Sequence, residues 1–262
     1  MDFSNENKLV VAVASSALFR LDEADAIFRR DGLAAYRKFQ REHEFDALQE
    51  GIAFPFIRRF LKFNELFPEV SPVEVVLLSH NDPDTGARVM ESIRHYGLNI
   101  RRAAFLTGSP PFNFIEPFQV SLFLSANEKD VSEAILRGCA AGLVLDSRIT
   151  DDRDDQELRI AFDFDGVLAD DSAEKVFQSA GMEQYLKSEQ EQREVPLAPG
   201  PLAALFAKLG RLRRLEDERE QNDRNYRRFL KTSIVTARDG PAIRRLVTTL
   251  RDWGIVPDQT FF

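Results

Sequence analysis

One cysteine, Cys139, stands among 262 residues, so no disulfide can form within the chain and a reducing compartment is expected. Its setting, Gly138-Cys139-Ala140-Ala141-Gly142, suits a small packed residue better than a nucleophile. The three histidines, His43, His80 and His95, show no metal-ligand spacing. No glycine-rich phosphate loop ending in Lys-Ser or Lys-Thr occurs, and no Gly-x-Ser-x-Gly elbow, which argues against P-loop nucleotide hydrolases and serine hydrolases. No apolar run approaches the ~18 residues that cross a bilayer. The start, Met1-Asp2-Phe3-Ser4-Asn5-Glu6-Asn7-Lys8, lacks the basic region of a secretory signal. A cytoplasmic protein with no membrane partner is the expectation. Cationic surplus is also missing: 35 Lys and Arg face 43 Asp and Glu, a net charge of -8, which disfavours sequence-independent nucleic-acid binding. Tryptophan and tyrosine are scarce, one and four against 22 phenylalanines, so aromatic packing falls mostly to a ring with no polar atom to satisfy.

What is present is a hydrophobic run that stops on two acids, Arg159-Ile160-Ala161-Phe162-Asp163-Phe164-Asp165-Gly166-Val167-Leu168-Ala169-Asp170-Asp171. Such a run reads as a buried strand, and Gly166 just beyond it permits a sharp turn. In open α/β sheets the carboxyl ends of strands are where ligands bind. Alternation across Phe162, Asp163, Phe164 and Asp165 predicts both carboxylates on one face and both rings on the other. Two acids so placed repel unless a cation joins them or one keeps its proton. A magnesium site with a carboxylate nucleophile meets that requirement, because Mg²⁺ takes one or two carboxylates plus substrate phosphate. The bland alternative is an acidic turn that caps the next helix.

Hydrophobic residues make up 44% of the chain, ample for a large α/β unit or two smaller ones. The polar tract Thr150-Asp151-Asp152-Arg153-Asp154-Asp155-Gln156-Glu157 marks a boundary, giving an amino-terminal unit over 1–150 and a second over 151–262. The two halves resemble each other. Val10 to Phe19 aligns with Arg159 to Leu168 at an offset of 149, and the match continues through Phe28 on Phe177, Gly32 on Gly181 and Tyr36 on Tyr185. A second block aligns at 157: Ser79 on Thr236, Asp82 on Asp239, Gly97 on Gly254, Phe105 on Phe262. Self-similarity of this length predicts two related α/β units. In the first, Ala14 and Ser16 stand where the second has Asp163 and Asp165. The second unit reads as strand 160–164, helix 172–191, helix 201–215, strand 233–235, helix 241–253 and a strand from 259. Its long segment over about 170–230, with the mixed-charge stretch Arg211 to Glu220, is either a solvated helix face, a mobile loop or a helical cap over the acids.

The second chemical element is Lys231-Thr232-Ser233-Ile234-Val235-Thr236-Ala237-Arg238-Asp239, a short apolar strand ending on a threonine. A hydroxyl there can donate to a phosphate oxygen, and the free N–H groups of the following helix add affinity for an anion. With these two elements the sequence resembles the haloacid-dehalogenase-like phosphohydrolases, Asp163-Phe164-Asp165-Gly166-Val167 matching their first motif and Ile234-Val235-Thr236 their second. More narrowly it resembles the cytosolic 5'-nucleotidase I family, through Ile160 to Ser172, Val76-Leu77-Leu78-Ser79-His80-Asn81-Asp82-Pro83-Asp84-Thr85-Gly86 and Leu122-Phe123-Leu124-Ser125-Ala126-Asn127-Glu128-Lys129-Asp130. The resemblance covers nearly the whole chain.

It implies a Rossmann-like fold with a mostly parallel sheet, helices on both faces and a cap insertion. It also implies Mg²⁺-dependent hydrolysis of nucleoside 5'-monophosphates. Asp163 would carry the phosphoryl group, Asp165 would serve as acid and then base, and both would serve the metal. Thr236, Gly166 and Arg238 would meet the phosphate. The family further implies a lysine and more acids after another helix and strand. Phe262 aligns with Phe105 while the first unit runs to about 150, so roughly 45 residues (150 minus 105) of the second unit are expected to be missing from this sequence. Two rival readings follow: a non-catalytic binder of nucleotide or Mg²⁺, and a phosphatase of the same superfamily acting on another small phosphomonoester such as a sugar phosphate. Homo-oligomerisation stays open.

Lesser candidates have two readings each. Asp170 and Asp171 either assist the site or, with Ser172, start the next helix. Arg238 reaches a phosphate or forms a surface salt bridge. His80 and Asn81 line a nucleotide pocket or shape a loop. Gly108-Ser109-Pro110-Pro111-Phe112-Asn113-Phe114 sets a ring against a nucleobase or packs structurally.

Overall fold

The computed structural model describes residues 8–147 and 150–262; the amino-terminal stretch 1–7, read above for a signal, lies outside them. The chain divides into two compact units, Met1–Asp154 and Asp155–Phe262. Among the described residues no helix is long and apolar enough to cross a membrane.

The first unit runs β1 (Leu9–Ala14), one turn α1 (Ser15–Leu18), α2 (Asp22–Glu42), α3 (Phe54–Leu66), β2 (Val73–Ser79), α4 (Pro83–His95), β3 (Arg102–Phe105), a 3-10 turn (Pro111–Phe114), β4 (Leu122–Ser125), α5 (Glu128–Leu136) and β5 (Ala141–Leu143). Its five strands are all parallel, in the order β3-β2-β1-β4-β5. Chain direction across the sheet reverses between β1 and β4, so right-handed crossovers put the helix after β4 on the face opposite those after β1 and β2. Both faces being covered, β1 is buried along its whole length, as a central parallel strand must be. Val10, Ala12, Val76, Leu78 and Phe123 pack with Ile115 and Ala134 into one core layer. Phe112 and Phe114 lie against it, and the Arg137 guanidinium sits 4.3 Å over the Phe112 ring. The Pro-rich loop therefore packs its rings structurally. Cys139 is half-buried against the same cluster.

The second unit runs β6 (Leu158–Asp163), a tight turn Phe164–Leu168, α6 (Ser172–Glu191), α7 (Ala203–Asn222), β7 (Leu230–Val235), α8 (Gly240–Asp252) and β8 (Gln259–Phe261), with parallel strands ordered β6-β7-β8. Leu158, Phe162, Leu230 and Ile234 form the buried face, while Arg159, Ala161 and Val235 are exposed. Here α7 supplies the covering layer: Leu205, Phe206, Leu209, Leu212 and Leu215 recur at helical spacing, and Phe206 meets Phe162 edge-on at 5.1 Å.

The repeat read from the sequence is a repeat of structure. Leu9 pairs with Val73 and Leu158 with Leu230, positions separated by 149 (158 minus 9) and 157 (230 minus 73). The third strand keeps the second offset: Leu77 pairs with Ala103, and Ile234 with Thr260. Gly32 and Gly181 break α2 and α6 at the same point, at φ 78° and 79°. Leu48 N–H donates to Ser92 Oγ at 2.9 Å, and Leu197 N–H to Thr249 Oγ1 at 3.0 Å. Each unit thus contains the pair of helices that follows its first strand, α2 and α3 or α6 and α7. The eight-residue difference between the two offsets falls in this connection, where α7 has 20 residues and α3 has 13.

That extra length brings Glu216 into the core. Its carboxylate accepts from Tyr226 Oη at 2.7 Å, Phe229 N–H at 2.6 Å and Leu230 N–H at 3.1 Å, tying the end of α7 to the start of β7. Burial raises the Glu216 pKa, against the pull of those three donors. Glu216→Gln turns an acceptor into an N–H₂ group facing donors. Urea unfolding should show a loss on the order of 2–3 kcal/mol; an unchanged midpoint would remove Glu216 from this account.

Candidate active site at the ends of β6 and β7

β6 ends at Asp163 because its carboxylate takes the next N–H: Phe164 N–H donates to Asp163 Oδ1 at 2.7 Å. The chain then turns. Gly166 adopts φ 71°, a conformation costly for any residue with a Cβ, and Ala169 N–H returns to the Phe164 carbonyl at 2.8 Å. The regular strand therefore ends at Asp163, while the alternation of burial runs on, with Phe162 and Phe164 buried, Asp163 exposed and Asp165 half-buried. Phe164 is fully buried, and its ring lies 5.2 Å beneath the Arg238 guanidinium. Asp163 stays exposed at the strand end, while Asp165 turns toward Arg238. Asp170 accepts from Ser172 Oγ at 2.7 Å and Asp171 pairs with Lys175 at 2.7 Å, so these two acids occupy the start of α6.

The second strand end sits alongside. Asp163 is in register with Val235, and Thr236 follows Val235 as the chain leaves β7. Thr236 N–H still donates to the Phe261 carbonyl at 3.0 Å. Its hydroxyl accepts from Arg238 N–H at 3.2 Å, which folds the Thr236-Ala237-Arg238 turn back over the strand ends. Asp239 occupies the N-cap position of α8 without a side-chain capping bond, leaving the N–H groups of that helix start without a side-chain acceptor from it. Asp163 ends β6, and Asp165, Gly166, Thr236 and Arg238 lie within the two connections that leave β6 and β7.

Arg238 forms a salt bridge, as one reading had it, but a buried one. Nε donates to both oxygens of Asp165 at 3.1 and 2.9 Å and Nη2 to Oδ1 at 2.6 Å. Nη1 donates to Glu189 Oε2 at 2.5 Å and to the Ala242 carbonyl at 3.3 Å. Glu189, on α6 and 1% exposed, accepts at its other oxygen from Arg245 Nη1 at 2.7 Å. Arg245 in turn holds the Val195 carbonyl at 3.0 Å. Burial works against the Arg238 charge, yet the bonds and charges of Asp165 and Glu189 outweigh it and raise its pKa. Tyr185, near the same charges, is pushed up to about 12, mainly by burial, and stays a phenol. Sequence reasoning missed Glu189 and Arg245. The repeat carried a signal for both, since they align with Gln40 and Arg88 at the two offsets.

For a cation, the hard donors at hand are the exposed Asp163 carboxylate, which has one oxygen free of the Phe164 bond, and main-chain carbonyls of the turn. This set suits Mg²⁺, which needs few protein oxygens when water and phosphate complete its shell. Among the described residues no group of three or more His, Cys, Asp or Glu side chains forms a metal cluster. His80 instead pairs with Asp130 at 2.7 Å, and His43 Nδ1 lies 2.9 Å from the Phe39 carbonyl.

A family model described as 5'-nucleotidase matches residues 1–262. Human cytosolic 5'-nucleotidase 1B is 30% identical over 265 residues, an alignment that takes in 98% of this chain and 43% of the human protein. The chain thus spans less than half the length of that relative. No solved structure matches it.

The acid turn is pinned from outside by Gly200, whose N–H donates to the Leu168 carbonyl at 2.7 Å. A Cβ on Gly200 would meet the Ala169 carbonyl oxygen at 2.3 Å. Gly51, its counterpart in the first unit, would meet the Ala17 oxygen at 2.6 Å. Gly200→Ala should therefore cost about 1–3 kcal/mol in Trp253-monitored unfolding, and a wild-type midpoint would show that the turn is not so constrained.

Proposed function

The chain belongs to the 5'-nucleotidase family, and from that premise we propose that it hydrolyses nucleoside 5'-monophosphates to nucleoside and phosphate in the manner of haloacid-dehalogenase-like enzymes. The observation that carries the reading is Asp163 at the end of β6, in register with Val235, with Thr236 the next residue as the chain leaves β7, in a chain matched by that family along its whole length. Asp163 attacks phosphorus, the bond to the 5'-oxygen breaks, and Asp165 gives that oxygen its proton. Water then attacks the aspartyl-phosphate, its proton passes to Asp165, and the acyl-phosphate bond breaks to release phosphate. Thr236 and the N–H groups of the Gly166 turn and the α8 start hold non-bridging oxygens. The Asp163 carboxylate and the Asp165 main-chain carbonyl would hold Mg²⁺, which would supply positive charge against the repulsion between nucleophile and phosphate. A cytoplasmic setting agrees with the relative's name and with the lone cysteine.

The contact pattern supports a different role for Arg238 from phosphate binding. Its fork grips Asp165 at three contacts, and Glu189 fixes the other side of the fork, so Arg238 positions the acid. The alternative role predicts different kinetics.

Phosphate release from AMP, IMP, CMP, UMP and dTMP, with ribose 5-phosphate as comparison, should require Mg²⁺ and stop with EDTA. Asp163→Asn should lower release at least ~10³-fold. Absence of release from every nucleotide, or release that survives Asp163→Asn, defeats the proposal. Arg238→Gln should lower kcat by about 10²-fold with KM nearly unchanged; a raised KM with wild-type kcat would return Arg238 to the phosphate.

A further inference from the structure

The first unit keeps the ring pair that the second unit carries on α6, while lacking the acids. Phe28, Leu33 and Tyr36 align at the 149 offset with Phe177, Met182 and Tyr185. Phe28 meets Tyr36 edge-on at 5.8 Å and 78°, Phe177 meets Tyr185 at 6.2 Å and 78°. Phe28 and Leu33 are both 48% exposed, Phe177 and Met182 40% and 52%. In the first unit these side chains wall a cavity of about 440 Å³ that reaches Asn81 and Thr107-Gly108 at the carboxyl ends of the parallel strands. That volume suits a small ligand.

Its chemistry disfavours phosphate, because its two basic lining residues are already paired, Arg37 with Asp82 and His80 with Asp130. Asp82 caps α4, accepting from Thr85 N–H at 2.8 Å, so a carboxylate already fills the helix start that Asp239 leaves uncapped in the second unit. Arg37 donates to the same Asp82 at 2.6 and 3.0 Å. Asp25 adds a further acid to the lining, and its pKa is raised chiefly by burial. An incoming dianion would meet carboxylates where it needs donors. Asn81, by contrast, uses Oδ1 for the Tyr36 hydroxyl at 3.1 Å and has its Nδ2 buried with no partner among the described residues. An unmet buried donor is costly, and Asn81 is one of the residues that line the cavity.

We propose that this cavity binds a neutral nucleoside, with the base against Phe28 and a base acceptor on Asn81, and that it discriminates against the phosphorylated form. The inference rests on the nucleotidase reading for the kind of ligand, but its failure is separately visible. Adenosine is the probe for affinity and 8-azidoadenosine for location, both applied to the whole chain, with AMP hydrolysis measured on the same preparation. Calorimetry should show adenosine binding that Phe28→Ala and Leu33→Ala each weaken at least tenfold. Both side chains are half-exposed, so neither change opens the core, and AMP turnover should stay within twofold of wild type. Photolabelling in EDTA, where AMP is not turned into adenosine, should mark peptides of 25–37 or 80–85, with tenfold excess AMP failing to protect them. Label confined to 174–186, protection by AMP, or adenosine affinity unmoved by both variants would overturn the inference and leave the hydrolysis result standing. Loss of hydrolysis with label retained in 25–37 would instead strike the nucleotidase reading alone.

Discussion

A buried carboxylate shared by two arginines sets the geometry of the second unit. Glu189 lies between Arg238 and Arg245, and the far side of Arg238 holds Asp165. Taking such charges out of water costs several kcal/mol per ion, and mutual attraction offsets this only when every partner is in place. Removing one member leaves an uncompensated charge, so the group behaves as a unit. It joins α6, α8 and the acid turn through side chains that have little freedom to move.

The first unit shows what this position looks like without the chemistry. Ser16, Gln40 and Asn81 stand where Asp165, Glu189 and Arg238 stand. The network becomes a chain of neutral groups beyond Arg88, which reaches Gln40 at 3.4 Å, with Gln40 on the Tyr36 hydroxyl at 3.1 Å, and that hydroxyl on Asn81 at 3.1 Å. Only the arginine on the helix after the second strand persists: Arg88 holds the Asp46 carbonyl as Arg245 holds that of Val195. Three charges are present together or absent together. The simplest physical reason is that Arg238 and Glu189 are needed only where a carboxylate must be aimed from the strand end. The strand frame itself is common to both units and therefore independent of the charges.

Much of this was legible in the residues. Apolar runs located β1, β2, β6 and β7, helix punctuation placed α6 and α8 to within a residue, and the two offsets anticipated the register pair for pair. The end of β6 was less legible. Strict alternation ignores the bond that Asp163 makes to the next N–H, so it carried the strand one residue too far, to Phe164, although the alternation of burial continues through Asp165. The extent of α7 was masked by the mixed charge of Arg211 to Glu220, where Leu212 and Leu215 nonetheless keep the buried stripe going. Burial of Arg238 could not be read locally, since its partners come from residues 165 and 189. Only the comparison of Gln40 with Glu189 hinted that a charge had been added to a core position.

Unfolding of the second unit can be followed through Trp253, the only tryptophan, whose ring lies 6.5 Å from Phe164. The decisive comparison is between the single changes Glu189→Gln and Arg238→Asn and the triple variant that adds Asp165→Ser, which installs the neutral set of the first unit. Each single change should destabilise by about 3 kcal/mol, and the triple variant should return to within about 1 kcal/mol of wild type, a strong departure from additivity. A triple variant that loses the sum of its parts would contradict the claim that these charges form one interdependent group.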